Sequence, residues 1–384
     1  MKPSQIIIFL SLVLILYSAI NLFIFLRLRQ GLSGSGVIRP ILMWIWFAWV
    51  LTFPVGRFLE SATHNGLSRI LVVAGSVYLA VMASLFLLFL VSDLIQLILK
   101  LIPEASVRSA ASSAKWPVVS ASVVVAVTLL STLAGAWNAG TVTVRNLDLQ
   151  IPKAVEGMKD LRIAALSDTH FGTVLGRRHM DKVAARIREI DPDIILFCGD
   201  IFDEDLTEAT EQNIAEAIKA LPSRHGTFAV LGNHEHFHNP RKAVEYLRSA
   251  GVVVLEDSIA TVSDRIRIIG RKDRQAGFRK TVGDLVQTLQ PEDIRILLDH
   301  QPFHLEEAEK NGIDLQFSGH THYGQLFPFN FITDLVYELS YGYLRKGNTH
   351  IVVSSGAGTW GPPVRTAGRT EVVGIRVRFI EPSP

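Results

Sequence analysis

Four long apolar segments within the first 140 residues decide what this 384-residue chain can fold into. They occupy residues 5–26, 37–55, 70–91 and 116–137. A helix needs about 20 apolar residues to cross the hydrocarbon core of a bilayer, and the first, third and fourth segments reach that length. The second is shorter and carries Arg39 and Pro40, although its tryptophans are typical of a membrane interface. One such segment would favour a buried helix of a soluble protein, whereas four favour a membrane region.

The distribution of basic residues predicts the orientation of these segments. The loops after the first and third segments carry Arg27, Arg29, Arg39, Lys100, Arg108 and Lys115, whereas the N-terminal tail and the second loop carry Lys2, Arg57 and Arg69. The positive-inside rule places the first and third loops in the cytoplasm and the residues after the fourth segment outside it. Arg145 and Lys153 follow the last segment and reduce this charge difference. The first segment also fits an uncleaved signal anchor, but three more segments follow it.

Composition excludes several classes of protein. Hydrophobic residues make up 48% of the chain and charged residues 19%, which is too apolar for an ordinary soluble protein. The formal net charge is +2 and no basic patch stands out, so we expect no nucleic-acid partner. Cys198 is the single cysteine, which excludes an intramolecular disulfide and a thiolate zinc cluster.

From residue 161 onward, short apolar runs alternate with amphipathic stretches. Strands are predicted at residues 161–166, 194–197, 227–231, 252–255, 266–269, 294–298, 315–317, 350–353 and 372–377. Helices are predicted at residues 179–190, 208–220, 241–249 and 304–311. This alternation indicates an α/β fold with helix-covered sheets. We therefore predict a transmembrane region of about four helices at residues 1–140, a linker or edge strand at 141–160, and an α/β domain at 161–384.

Five polar clusters follow the predicted strands. They are Asp168-Thr169-His170, Gly199-Asp200, Gly232-Asn233-His234-Glu235, His300, and Gly319-His320-Thr321-His322. Ligands of α/β sheets bind beyond the carboxyl ends of the strands, so we expect these clusters to converge. Most of these clusters, taken alone, are better interpreted as a turn or as a hydrogen-bonded histidine, whereas the paired histidines of Gly319-His320-Thr321-His322 have some specificity. Their order, each at a strand end, favours a common site.

Carboxylates and imidazoles together suit borderline metal ions such as manganese, iron or zinc. One carboxylate can bridge two such cations about 3.5–4 Å apart. The pair lowers the pKa of a bridging water, and it neutralises the charge that builds on a phosphoryl group during transfer. The residue types therefore predict a site for two divalent metal ions.

Together these motifs resemble the signature of the calcineurin-like metallophosphoesterases. The signature stands here as Leu166-Ser-Asp-Thr-His-Phe-Gly172, Gly199-Asp-Ile-Phe-Asp203, Gly232-Asn-His-Glu235, His300 and Gly319-His-Thr-His322. The resemblance covers roughly residues 161–377. Residues 354–365 are similar to a subgroup that contains bacterial phosphodiesterases and transmembrane proteins with a metallophosphoesterase domain.

The resemblance implies a fold and a role for each matching residue. The fold is two packed β-sheets flanked by helices. The metal ligands would be Asp168, His170 and His322 for the first ion, Asn233, His300 and His320 for the second, and Asp200 as the bridge. His234 would contact the phosphate and protonate the leaving oxygen. Asp203 and Glu235 would be hydrogen-bond partners of these residues, although Asp203 also suits a turn cap. Arg365 would contact the substrate phosphate or form a surface salt bridge.

One residue departs from the family pattern, and one apolar insertion is also notable. Tyr323 replaces a glycine after the last histidine, and we expect its ring to narrow the pocket or to stack on a substrate. An apolar insertion at residues 327–335 precedes Tyr337, Tyr341 and Tyr343. It is interpreted either as a lip that dips toward lipid headgroups or as a loop whose aromatic residues pack into the core.

The sequence thus predicts a membrane-anchored, metal-dependent phosphodiesterase or phosphatase. A lipid phosphoester, such as a phospholipid or a sugar-nucleotide lipid like a UDP-diacylglucosamine, is the expected substrate class because the active site is tethered to a membrane. The alternative is a membrane receptor or transporter whose phosphoesterase-like domain binds a ligand without hydrolysing it. A nuclease is disfavoured by the missing basic patch.

Overall fold

Long helices build the N-terminal part of the chain in a computed structural model, which describes residues 3–34, 36–63, 65–203 and 206–381. The chain divides into two compact units, Met1–Ala134 and Gly135–Pro384, and the long helices form the first. The helices are α1 (Pro3–Gly31), α2 (Ile38–Ala62), α3 (Gly66–Leu101), α4 (Ala105–Ala111) and α5 (Trp116–Gly140), whose last residues belong to the second unit. Within the described residues, α1, α2, α3 and α5 are long and apolar enough to cross a membrane. The prediction of four apolar helices is confirmed. The helix α2 reaches this length because it continues to Ala62.

Close packing holds the apolar helices of the first unit together. A Cβ atom on Gly75 of α3 would lie 2.4 Å from the Cα atom of Phe53 in α2, so glycine is required there. The Tyr78 hydroxyl of α3 donates a hydrogen bond to the Asn21 side chain of α1. Small residues and buried hydrogen bonds of this kind stabilise helix contacts inside membranes.

Two six-stranded sheets form the centre of the second unit, as far as residues 143–203 and 206–379 describe it. The first sheet contains, in spatial order, β1 (Thr143–Ile151), β12 (Glu371–Phe379), β2 (Asp160–Leu166), β3 (Ile194–Cys198), β4 (Thr227–Val230) and β5 (Val253–Val254). The second contains β10 (Gly342–Lys346), β11 (Thr349–Val353), β9 (Leu315–Ser318), β8 (Ile294–Leu298), β7 (Ile266–Gly270) and β6 (Ser258–Thr261). Neighbouring strands from β2 to β5 are parallel, as are β7, β8, β9 and β11.

Helices cover the outer faces of both sheets. They are α6 (Arg177–Ile190), α7 (Thr207–Glu211), α8 (Ile214–Lys219), α10 (Pro240–Ser249), α11 (Val282–Val286) and α12 (Glu306–Lys310). Two further helices, α9 (Asn233–Phe237) and α13 (Asn330–Val336), contribute none of their described residues to the hydrophobic clusters on these faces. Side chains of β2 alternate between two cores, as a strand requires. Ile163 packs with Ile296 between the sheets, whereas Leu166 packs with Val183 and Ile187 of α6. The predicted sandwich of two sheets flanked by helices is confirmed.

Several local predictions differ from the structure. The helix predicted at residues 208–220 is wrong, because α7 and α8 are separated at Asn213, whose φ of 52° lies in the left-handed region. The edge strands β6 and β10 were not predicted, since both are short and partly polar. The segment after α5 is an edge strand: β1 pairs in parallel with β12 along its whole length.

Candidate metal centre and active site

The five polar clusters all lie at the carboxyl ends of parallel strands. In the first sheet, Asp168 and His170 follow β2, Asp200 follows β3, and Asn233 and His234 follow β4. In the second sheet, His300 follows β8, and His320 and His322 follow β9. The two sheets share one core, so these strand ends lie at one edge of the sandwich. Residues that are up to 154 positions apart therefore meet, as the sequence predicted.

The backbone at this edge is unusual. Five of the seven predicted metal ligands have positive φ angles in the left-handed region: Asp168 (54°), His170 (46°), Asp200 (50°), His320 (69°) and His322 (48°). Such conformations cost free energy for residues other than glycine and cluster at functional sites. A Cβ atom on Gly319 would lie 2.2 Å from the Asp168 carboxylate, so a glycine is needed before His320. The strands thus end in tight turns that aim the side chains inward.

Asp168, His170 and His322 form a first ligand group. Their candidate ligand atoms all lie within 4.8 Å of one another, and all three residues are buried. The His322 Nε2 atom is 3.5 Å from Asp168 Oδ1 and 3.0 Å from His170 Nε2. A carboxylate and two imidazoles at these distances suit a borderline divalent ion.

Asp200, His300 and His320 form a second group within the same 4.8 Å limit. Asn233 directly precedes His234, whose N–H group donates to Asp200 Oδ1 at 2.9 Å, and the buried Oδ1 atom of Asn233 has no hydrogen-bond partner among the described residues. Asp200 stands between the two groups, because its Oδ2 atom is 3.2 Å from His300 Nε2 and 4.0 Å from His170 Nε2. The position of Asp200 suits a bridging ligand.

The contact between His300 and Asp200 attracts a positive charge. The Nδ1 atom of His300 lies 2.7 Å from the Cys198 carbonyl oxygen, so it carries the proton of a neutral ring and leaves a lone pair on Nε2. That lone pair faces the Asp200 carboxylate. Although burial opposes protonation, Asp200 raises the pKa of His300 well above its usual value. A proton or a metal cation must therefore lie between His300 Nε2 and Asp200 Oδ2. The unpartnered Oδ1 atom of Asn233 offers a further oxygen ligand, so the site fits a metal cation.

Two other imidazoles of the site, those of His320 and His322, are neutral near pH 7. Burial, together with the nearby His300, lowers the pKa of His320 to about 4. Burial and the neighbouring His170 lower the pKa of His322 well below its usual value. In spite of burial, the imidazole of His300 holds the pKa of Asp200 far below its usual range. Neutral rings and an ionised bridging carboxylate are the forms that bind a divalent cation.

Asp203 and Glu235 contact the candidate ligands from outside the two groups. The Asp203 Oδ1 atom lies 3.2 Å from His170 Nδ1 and 3.5 Å from His234 Nδ1. These three residues also form a compact group of possible ligands, but the contacts assign the Nδ1 atoms as hydrogen-bond donors, which do not bind metal. Glu235 is buried and accepts backbone N–H groups around Asp200. Both residues therefore occupy the supporting positions that the sequence predicted.

Similarity to known proteins adds to this geometry. The sequence profile of the calcineurin-like phosphoesterases matches residues 161–324. An uncharacterized metallophosphoesterase of Aquifex aeolicus is 32% identical over 237 residues, which cover 60% of this chain and 88% of that protein. The chain belongs to the calcineurin-like phosphoesterase family. Members of this family bind divalent metal ions, and a phosphoesterase domain implies a phosphoester substrate.

This chain matches part of the length of two further relatives. A Helicobacter pylori uncharacterized metallophosphoesterase is 33% identical over 225 residues, which cover 57% of this chain and 60% of that protein. A Danio rerio transmembrane protein with metallophosphoesterase domain is 31% identical over 247 residues, which cover 60% of this chain and 56% of that protein. The chain thus spans less than two thirds of either relative. With its four apolar helices, this calcineurin-like phosphoesterase is a membrane protein.

The two interpretations of Arg365 from the sequence are both wrong. Its side chain is fully buried, so it neither forms a surface salt bridge nor reaches the cavity. Its guanidinium group donates hydrogen bonds to the carbonyl oxygens of His322 at 2.9 Å and Gly358 at 2.7 Å. Burial lowers the pKa of Arg365 to about 10. Arg365 therefore fixes the backbone of a candidate ligand.

An apolar cavity of about 620 Å³ opens beside the candidate ligands. The residues that line it include Asp200, Asn233, His234, His320, His322, Phe237, Leu326, Phe329, Tyr337 and Trp360. Tyr323 is absent from this lining among the described residues, and its ring lies 5.0 Å from that of Tyr341 instead. The expectation that Tyr323 narrows the pocket is therefore wrong. Phe237 was missed, because a lone phenylalanine in a short helix carries no signal in the sequence.

The apolar insertion at residues 327–335 does not pack into the core. Phe327, Phe331, Ile332 and Leu335 are exposed. Only Phe329 among its aromatic residues lines the cavity. The interpretation as a loop with core-packing aromatic residues is wrong, and the insertion instead presents apolar side chains on the surface.

Proposed function

We propose that this chain is a membrane-anchored phosphodiesterase or phosphatase that depends on two divalent metal ions. The observation that carries this proposal is the pair of ligand groups that meet at Asp200, with the unpartnered Asn233 Oδ1 atom beside them. The catalytic domain would occupy residues 161–384, with β1 added at the edge of its first sheet. The basic residues of the loops support an extracytoplasmic domain.

Seven residues would hold the two ions. Asp168, His170 and His322 would bind the first, Asn233, His300 and His320 the second, and Asp200 both. The donor set of carboxylate, amide and imidazole favours manganese, iron or zinc. When bound, two cations supply an activated water molecule as nucleophile and neutralise charge on the phosphoryl group.

His234 is proposed as the catalytic proton donor. Among the described histidines that line the cavity, it is the one outside both ligand groups. Its Nδ1 atom lies 3.2 Å from the Asp203 carbonyl oxygen, which orients the ring and leaves Nε2 for the substrate. In its imidazolium form this ring carries a proton on each nitrogen, and it can pass the Nε2 proton to the leaving oxygen.

The cavity supports a lipid-bearing substrate. Phe237, Leu326, Phe329 and Trp360 place apolar surface next to the candidate ligands. Apolar walls stabilise an apolar substituent by removing its surface from water. We therefore propose a phospholipid or a sugar-nucleotide lipid such as a UDP-diacylglucosamine, whose phosphate would lie at the ligands and whose acyl part would lie against these walls.

The test uses the purified full-length chain in detergent with manganese, iron or zinc. We expect hydrolysis of bis-p-nitrophenyl phosphate, and loss of both turnover and bound metal in Asp200→Asn. His234→Asn should keep its metal but lose about 10²–10⁴-fold in turnover. His304→Asn is the matched control, because His304 is an exposed histidine outside the cavity. Metal binding without turnover on any phosphoester would support the ligand-binding alternative and contradict the hydrolase.

A further inference from the structure

A one-sided apolar surface lies on α13 and the residue Phe327. Phe327, Phe331, Ile332, Leu335 and Val336 are each more than half exposed, and Leu335 is 87% exposed. Residues 331, 332, 335 and 336 share one side of the helix, because an α-helix turns once in 3.6 residues. The Phe327 ring extends this side, with its centroid 5.7 Å from that of Phe331. We call these five residues the apolar face. A contiguous apolar surface of this kind marks an interaction site.

Polar groups of α13 lie beside or behind the apolar face. Asn330 is buried, and Thr333 lines the catalytic cavity. Asp334 borders the apolar face, and its carboxylate accepts a hydrogen bond from the Ser340 hydroxyl. The helix therefore has an apolar outer side with a polar rim, which is the pattern of segments that lie in a membrane interface.

The apolar face is joined to the end of α5 within the second unit. The Phe327 N–H group donates to Thr366 Oγ1 at 2.8 Å. Arg365, which directly precedes Thr366, donates its N–H to the Gly135 carbonyl oxygen at 3.0 Å. The Asn138 Nδ2 atom donates to the Arg365 carbonyl oxygen at 3.0 Å. Trp137, in the same turn of α5, is 79% exposed. An exposed tryptophan at the end of an apolar helix is typical of the membrane interface.

Basic side chains lie around the same end of α5. Arg177, Arg178 and Lys182 line a cavity of about 520 Å³ together with Ala139 and Gly140 of α5. The Lys182 ammonium group donates to the Gly140 carbonyl oxygen at 2.7 Å. Exposed cations next to a membrane helix complement the anionic headgroups of a bilayer.

We propose that the apolar face lies in the interfacial layer of the lipid bilayer. We infer that the bilayer covers the apolar face because this face is joined to the end of the apolar helix α5, and because basic side chains surround that end. Phe329, Thr333 and Tyr337 line the catalytic cavity from the other side of the same segment. Contact with the bilayer would therefore open the cavity at the lipid surface. This consequence for the cavity rests on the proposed function. The contact between the apolar face and the bilayer does not depend on that function.

A single fluorescent label tests the contact. Cys198 is the only cysteine of the chain and is buried, so Leu335→Cys adds one accessible thiol. The full-length variant carries a polarity-sensitive fluorophore in liposomes of phosphatidylcholine and phosphatidylglycerol, with or without brominated acyl chains. Glu292→Cys is the matched control, because Glu292 is exposed and precedes β8 at the end opposite His300. Ile332→Cys is a second reporter if the first variant does not fold.

We expect the emission of the Leu335 label to shift to shorter wavelength and to be quenched by the brominated lipids, while the Glu292 label changes in neither respect. Equal, water-like emission from both labels overturns the proposal. A shift without quenching also overturns it, because a second copy of the chain or another protein would then cover the apolar face. Hydrolysis of soluble bis-p-nitrophenyl phosphate, measured on the same samples, reports on the proposed function separately.

Discussion

The Glu235 carboxylate fixes the backbone at Asp200 through hydrogen bonds. Its Oε2 atom accepts the Asp200 N–H group at 3.1 Å and the Gly232 N–H group at 2.7 Å. Its Oε1 atom accepts the N–H groups of Ile201 at 2.7 Å and Phe202 at 2.9 Å. Burial and the Asp200 charge raise the pKa of Glu235 to about 7, but four donors favour the carboxylate. One buried side chain thus joins the turns after β3 and β4, which carry Asp200 and Asn233.

The variant Glu235→Gln should weaken both folding and metal binding. The amide NH₂ group would face two backbone donors, and each buried group left unpaired costs about 1–3 kcal/mol. We expect a lower melting temperature and a lower metal affinity, measured by thermal unfolding and isothermal titration calorimetry. Glu245→Gln is the control, because Glu245 is exposed on α10. Unchanged metal affinity in Glu235→Gln would show that this carboxylate does not position Asp200.

The variant Arg365→Lys should impair metal binding at the first ligand group. Lysine keeps the charge, but its ammonium lacks the planar fork that reaches the carbonyls of His322 and Gly358 together. Loss of one such bond costs about 1.5–3 kcal/mol. We expect the folded variant to bind fewer than two ions, measured by metal analysis after dialysis and checked by circular dichroism. The control is Arg369→Lys, since Arg369 is exposed nearby. Full metal content in Arg365→Lys would refute the positioning role.

The order of motifs was sufficient to predict the fold and the convergence of the candidate ligands, because strand ends meet at one edge in any sheet with parallel neighbours. The role of Arg365 was not predictable, since its partners are backbone carbonyls and the sequence does not reveal burial. Asn213 interrupts a helix through its backbone conformation, which the amphipathic pattern of residues 208–220 conceals. The location of the apolar face was also ambiguous, because the sequence does not reveal whether apolar residues lie in a core or on a surface.

Stability should fall below about pH 6.5 because of His179. Its Nε2 atom lies 2.6 Å from the Ala357 carbonyl oxygen, and burial lowers its pKa below the usual 6.5. The unfolded chain therefore binds a proton that the folded chain does not, so stability is retained above pH 6.5 and is lost as the pH falls toward the folded pKa. The slope is up to about 1.4 kcal/mol per pH unit.

The variant His179→Gln keeps a donor for Ala357 but does not titrate, so it should flatten this slope. Unfolding of the detergent-solubilised chain between pH 5 and 8 measures the effect. His225→Gln serves as the control, because His225 is exposed. If the two variants show the same slope as the unmodified chain, protonation of His179 does not limit stability.

Trp360 should select for an apolar substituent on the substrate. Its ring lies 6.0 Å from that of His234 and forms part of the cavity wall. Trp360→Ala removes apolar surface that only a lipid-bearing substrate would cover. We expect KM for a long-chain alkyl p-nitrophenyl phosphate to rise on the order of tenfold, or about 1.4 kcal/mol, while KM for bis-p-nitrophenyl phosphate changes little. Phe278→Ala is the control, because Phe278 is an exposed aromatic residue outside the cavity. Equal changes for both substrates would mean that Trp360 supports the active site without contacting an acyl chain.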